Sequence, residues 1–300
     1  MIATLLQRLT PLPGLAFLLL VLGLAQPAQA THLLGGELTY RYLDANGPVT
    51  TAPLRYEITV SVYVACSSAA TANYLDLDLY NKATGARLPM TSANLGSSNA
   101  SVYDGSLELT QPTISTCTSI AVPPGCTITG ASQPYQLQKF VGIVCLPALA
   151  AGFNVLTAPS GNRNANINNL AGGGNASSGY QLALYSTLVP PSMRNSSPVF
   201  TGNAVGLICA GDTTVVLNNA VDADGDRLEY AFGQPYTYPS NNANFTPPPA
   251  YVPYTTTGGY SAATPLGTGT GYYAKINANT GVTKYVGGLT VGNRYGIAID

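Results

Sequence analysis

The 300-residue chain has no tryptophan, a single histidine and few charges, with Asp, Glu, Lys and Arg making up 8% of it against about 25% in an ordinary soluble domain. Each scarcity narrows the function. Lys and Arg number 12 and Asp and Glu 13, so no basic field exists to hold nucleic acid or an anionic membrane surface. The lone histidine, His32, supplies no hydrolytic triad unless an acid and a nucleophile are brought to it, and reads better as a structural or solvent-facing residue. No two of the five cysteines show C-x-x-C spacing, which argues against a zinc-thiolate centre. After residue 30, Gly, Pro, Asn or a charge interrupts every apolar run before it reaches the ~20 residues of a membrane-spanning helix.

Glycine (32), proline (22) and tyrosine (20) are abundant, a balance that favours turns and strands. The chain opens with Arg8, an apolar stretch from Leu15 to Ala25, and Pro27-Ala28-Gln29-Ala30. This tripartite pattern predicts a secretory leader over residues 1–30, cleaved before Thr31. A secreted or outer-surface location follows, and with it an environment that permits disulfides. Cys117 and Cys126 flank a Pro123-Pro124-Gly125 turn, so a local bridge between them is expected, with Cys66–Cys145 as a second pair because both sit in strand-like runs.

Period-two alternation is the dominant pattern. Leu54, Tyr56, Ile58, Val60, Val62 and Val64 alternate with Arg55, Glu57, Thr59 and Ser61, which reads as a half-buried strand. Leu75, Leu77 and Leu79 alternate with Asp76 and Asp78, and Leu182 and Leu184 stand on the opposite parity to Gln181. Later strands are expected near Thr213–Leu217, Arg227–Phe232, Tyr272–Ile276, Val282–Val286 and Arg294–Ile299. The expected fold is all-β: two antiparallel, Ig-like β-sandwich domains in tandem after the leader. The Pro- and Ser-rich stretch from Pro190 to Pro198 places the boundary, giving domains 31–192 and 196–300. Because strand-like patterning runs up to Asp300, the second sandwich is expected to continue beyond it.

Three groups of residues are candidates for function. Asp222, Asp224 and Asp226 lie within Asp-Ala-Asp-Gly-Asp; they suit Ca2+, which takes six to eight oxygen ligands, but not an EF-hand, because Gly225 comes too early and Gly233 stands where the closing Glu belongs. The same five residues read first as an Asp-rich turn that caps backbone amides, with the Ca2+ site as the alternative. Tyr251, Tyr254 and Tyr260 belong to a Pro-, Asn- and Tyr-rich insertion from residue 235 to 271. Exposed, such rings stack on sugars or anchor a protein; packed, they fill the space around loop prolines. Glu37, Glu57, Glu108 and Glu229 are scattered over strand positions, and a glycosidase would need two of them across a cleft.

Four stretches carry a family resemblance. They are Thr31 to Tyr40, Tyr56 to Cys66, Arg163 to Leu170, and Asn195-Ser196-Ser197-Pro198-Val199-Phe200 running through Cys209 to Ala220–Asp226. Together they resemble large surface proteins of gliding Bacteroidetes. The resemblance implies an exported multidomain protein with PKD-like, cadherin-like or other Ig-like modules, delivered by type IX secretion through a separate C-terminal sorting domain. Residues 277–282, a Thr-Gly hairpin before a last strand, are similar to the end of a cadherin-like module. A sorting domain is not among the 300 residues. The function expected is non-catalytic: adhesion, gliding-associated display or envelope structure, with an extracellular protein or polysaccharide as partner. The alternatives are a glycan- or matrix-binding module working through the Tyr-rich insertion and, after it, a secreted carboxylate-dependent hydrolase.

Overall fold

The strictest alternation, from Leu54 to Val64, becomes one of the longest paired strands. In the computed structural model, which describes residues 32–66, 72–127, 134–149, 151–159, 162–164, 166–174, 180–190, 193–238 and 244–300, seventeen strands follow one another. The first ten are β1 (His32–Asp44), β2 (Leu54–Ala65), β3 (Tyr74–Asn81), β4 (Ala100–Tyr103), β5 (Ser106–Thr110), β6 (Thr113–Ile114), β7 (Tyr135–Leu146), β8 (Phe153–Thr157), β9 (Asn162–Arg163) and β10 (Leu184–Leu188). The rest are shorter: β11 (Val199–Phe200), β12 (Thr213–Leu217), β13 (Ala220–Val221), β14 (Phe232–Gly233), β15 (Tyr273–Ile276), β16 (Val282–Val286) and β17 (Ala298–Ile299). No α-helix occurs among the described residues. The predicted leader, residues 1–30, lies outside them.

Two five-stranded sheets, β6-β7-β2-β1-β9 and β10-β8-β3-β5-β4, supply the core. All their pairings are antiparallel except the two-residue contact of β1 with β9. The inward parity of β2 (Tyr56, Ile58, Val60, Val62, Val64) meets Leu75, Leu77 and Leu79 of β3, Leu107 and Leu109 of β5, and Phe153 and Val155 of β8 in one apolar cluster. Period two explains the arrangement, since each strand sends alternate side chains into the shared core and the others outward. The all-β expectation therefore holds.

The remaining strands form small sheets, β12-β16-β15, β11-β13 and β14-β17. Two expected strands are much reduced. Arg227–Phe232 gives only β14, because Asp222 turns the chain just before it, and Arg294–Ile299 gives only β17, its partner in a two-residue pairing. The chain beyond residue 196 packs on the part of the chain that forms the two large sheets at several places. Phe245 packs with Tyr80 and Leu156, and Val252 packs with Ile167 and Leu170. Asn169 donates to the carbonyls of Pro265 and Gly296. By contact density, residues 31–300 form one compact unit.

Both expected disulfides are replaced by others. Cys66 bonds Cys117 and Cys126 bonds Cys209, with Cα atoms 6.0 and 5.6 Å apart. Register explains the first correction. Cys145 stands opposite Arg55 at the start of β2, whereas Cys66 follows its end, roughly 35 Å away along an extended strand. Cys117 is carried to Cys66 by its neighbour Thr118, which pairs with Tyr135 beside the end of β2. The Pro123-Pro124-Gly125 turn does form, with the Cys126 amide donating to the Pro123 carbonyl, but it delivers Cys126 to the segment before β12. Cys145 stays a buried thiol, and burial pushes its pKa up.

Candidate functional site

The polar parity of β1, β2 and β7 builds the floor of a groove. Glu37 stands opposite Ser61 and Ser61 opposite Lys139; two residues along, Thr39 stands opposite Thr59; two further, Arg41 stands opposite Glu57. Rows of this kind arise because paired strands put facing residues on the same side of the sheet. What turns a flat face into a groove is the chain from 196 to 204, which crosses it. The Ser197 amide donates to the Tyr40 carbonyl at 2.9 Å, and the Tyr40 amide donates to Ser197 Oγ at 2.8 Å. Six residues on, Asn203 Nδ2 donates to the Tyr135 hydroxyl at 2.9 Å. Ala204 lies over Gly35, where a Cβ would come within 2.8 Å of its carbonyl oxygen. Gly35 is needed for that close approach.

The resulting cavity measures about 260 Å3 and is lined by the floor residues together with Ser196, Ser197, Val199 and Ala223. Its charges sit at the two ends. At one, Arg41 donates through Nε and Nη2 to Glu57 Oε1 at 3.3 and 3.2 Å. At the other, burial raises the pKa of Glu37, and a hydrogen bond from Ser61 and the charge of Lys139 partly offset that rise. Between them lie the hydroxyls of Thr39, Thr59 and Ser61. Glu37 and Glu57 are four residues apart in register, roughly 13 Å, beyond the ~5–10 Å that a pair of glycosidase carboxylates spans.

The acidic turn is part of the wall. Asp222 Oδ1 accepts the amides of Asp224 and Asp226 at 2.9 and 3.1 Å, and Asp224 Oδ2 accepts the Ser196 amide at 2.6 Å. Asp222 and Asp224 thus hold the turn and tie it to the segment that roofs the groove, while Asp226 is exposed. Among the described residues no three His, Cys, Asp or Glu side chains are grouped so as to hold a metal ion.

The three tyrosines singled out in the sequence have separate surroundings. Tyr251 is 46% exposed and stacks on Tyr236 with ring centres 5.4 Å apart. Tyr254 packs against the cluster of Ile167, Leu170 and Val252. Tyr260 meets Tyr295 at 6.4 Å. Packing therefore occupies most of their surface, and burial pushes the pKa of Tyr254 and Tyr260 upward.

Two buried polar groups were not legible as special. Asp78, 3% exposed, accepts from Arg87 Nε, from Ser106 Oγ and from the Tyr238 hydroxyl, which pins the Tyr-rich insertion to the second sheet. Arg163 is buried and, among the described residues, makes no ion pair; Nη2 donates to the Tyr236 carbonyl, Nε has no partner among them, and burial lowers its pKa to about 10. In the sequence it is only one member of the Arg163–Leu170 stretch. No family model, no curated protein and no solved structure matches the chain. No helix among the described residues is long and apolar enough to cross a membrane.

Proposed function

We propose that the chain is an exported, non-catalytic surface protein that binds a hydroxyl-rich ligand, a segment of polysaccharide, in the groove over β1, β2 and β7. The observation that carries this reading is the lining: a floor of hydroxyls with a carboxylate or a cation at each end, roofed by a cross-braced loop. Sugars present both donors and acceptors, and Thr and Ser hydroxyls answer either. The volume of about 260 Å3 is at the small end of ligand sites, roughly 300–1,000 Å3. It suits one unit of a longer polymer that continues out of both ends.

Export is supported by the two disulfides, which persist in oxidising surroundings, and by the leader-like sequence of residues 1–30. In this reading 31–192 and 196–300 are two Ig-like modules of a gliding-type surface protein, locked together by Cys126–Cys209. Adhesion and display on the cell envelope fit a cross-linked, sparsely charged scaffold whose work is done on its surface.

A glycan array tests the proposal. Binding by the wild-type chain should weaken about tenfold in Thr59→Val, the cost of one or two polar contacts of ~1 kcal/mol each, and more in Lys139→Ala. Tyr251→Ala and Tyr260→Ala should leave it unchanged. Absence of binding to any polysaccharide, or binding abolished by Tyr251→Ala and indifferent to Thr59→Val, would overturn it.

A further inference from the structure

The outward face of the sheet β12-β16-β15 carries apolar side chains and two adjacent cations. Register lays the face out in rows: Thr213, Val286 and Tyr273; then Val215, Lys284 and Lys275; then Leu217 beside Val282. Val215, Leu217 and Tyr273 are 54, 60 and 44% exposed. Lys275 and Lys284 stand directly opposite one another, an arrangement of like charges that costs stability in a ladder. Neither forms an ion pair with a described residue. Both lysines are exposed, on a face whose other side chains are apolar except for Thr213.

The outward face of β3, β5 and β4 is its complement. There Asp76 stands opposite Glu108 and Glu108 opposite Ser101, with Tyr74 at one corner and Tyr103 at the other. Tyr74 and Tyr103 are among the most exposed aromatic rings of the described chain, at 52 and 69%. The charge of Glu108, which accepts from Ser101 Oγ, acts on Asp76, and Asp76 Oδ1 is buried with no hydrogen-bond partner among the described residues. A pair of lysines flanked by aliphatic groups and a pair of carboxylates flanked by tyrosines are opposite in charge and alike in span, each face covering three strands, and the cation beside the carboxylates, Arg87, is already held by Asp78.

From this complementarity we infer that the lysine face of one copy docks on the tyrosine–carboxylate face of another. Because the two surfaces differ, the contact is heterologous and leaves one face of each kind unused at the ends of every pair, so that it propagates into rows. Each face covers roughly 10 by 13 Å, far below the ~800 Å2 per partner of a stable dimer. A single contact is therefore weak, and rows gain strength where many copies are held on one surface. The low net charge, −1, opposes self-association little.

Sedimentation of the disulfide-intact chain at low salt should show weight-average mass rising with concentration up to the millimolar range and falling back in high salt. Lys275→Glu/Lys284→Glu and Glu108→Lys should each sediment as monomers, with circular dichroism of the wild type. Mixed in equal amounts, the two variants should associate again, because each keeps the face the other has lost. A wild-type chain that stays monomeric at every concentration refutes the inference, as does a lysine-reversed variant that still associates or a mixture that fails to. Replacing Thr59 in the groove should leave this behaviour unchanged, which separates it from glycan binding.

Discussion

Removal of the Cys126–Cys209 bond probes both the topology and the coupling between the two halves of the chain. Its partners are 83 residues apart. On the chain-entropy account, opening a loop of that length in the unfolded state is worth about 4.5 kcal/mol at 25 °C. Measured effects run lower, about 2–4 kcal/mol, because unfolded chains keep some structure. Unfolding roughly 270 residues carries an entropy of about 570 cal/mol/K at the midpoint, so a loss of that size lowers the melting temperature by about 4–8 °C. The loops closed by Cys66–Cys117 and Cys126–Cys209 do not overlap, so the two losses should add. The assay is thermal unfolding of Cys209→Ala followed by circular dichroism, with peptide mapping under non-reducing conditions to read the remaining bond. The local alternative, Cys117–Cys126, would leave Cys209 without a partner and make Cys209→Ala silent. An unchanged melting temperature together with a Cys117–Cys126 peptide in the wild type refutes the reasoning.

Asp76→Asn should stabilise the fold at neutral pH. Burial, then the charges of Glu108 and Asp78, raise its carboxyl pKa, so the folded state holds its proton more tightly than the unfolded chain. Stability then falls as pH rises from the ordinary carboxylate range through the raised value, and denaturation from pH 3 to 8 should show the gain in Asp76→Asn growing over that window and vanishing in acid. Phe140→Ala, at a fully buried core position of β7, should cost about 3–5 kcal/mol in urea denaturation. Asp224→Ala should loosen the Ser196 wall and weaken glycan binding while leaving circular dichroism unchanged. Calcium held at Asp222, Asp224 and Asp226 would raise the melting temperature by mass action; superimposed curves in millimolar Ca2+ and in chelator would exclude that site.

The amino-acid order alone determined one long strand of the core and two strands of the small sheet. β2, β12 and β16 run almost as alternation delimits them, because a period of two is written into adjacent residues and needs no distant partner to be seen. The polar side of β2, Arg55, Glu57, Thr59 and Ser61, was equally legible as an outward face. Tertiary structure alone decided that this face is a groove. Its roof comes from residues 196–204, more than 130 positions downstream of Thr59, and nothing in either segment announces the other. The same holds for the cysteines. A nearby turn made Cys117 and Cys126 look like partners, whereas strand register, a property of paired segments rather than of either one, set Cys117 against Cys66 and sent Cys126 to Cys209. Short-range pattern fixes which side of a strand is buried; which surfaces and sulfurs meet depends on contacts between residues far apart in sequence, and these exist only once the sheets have paired.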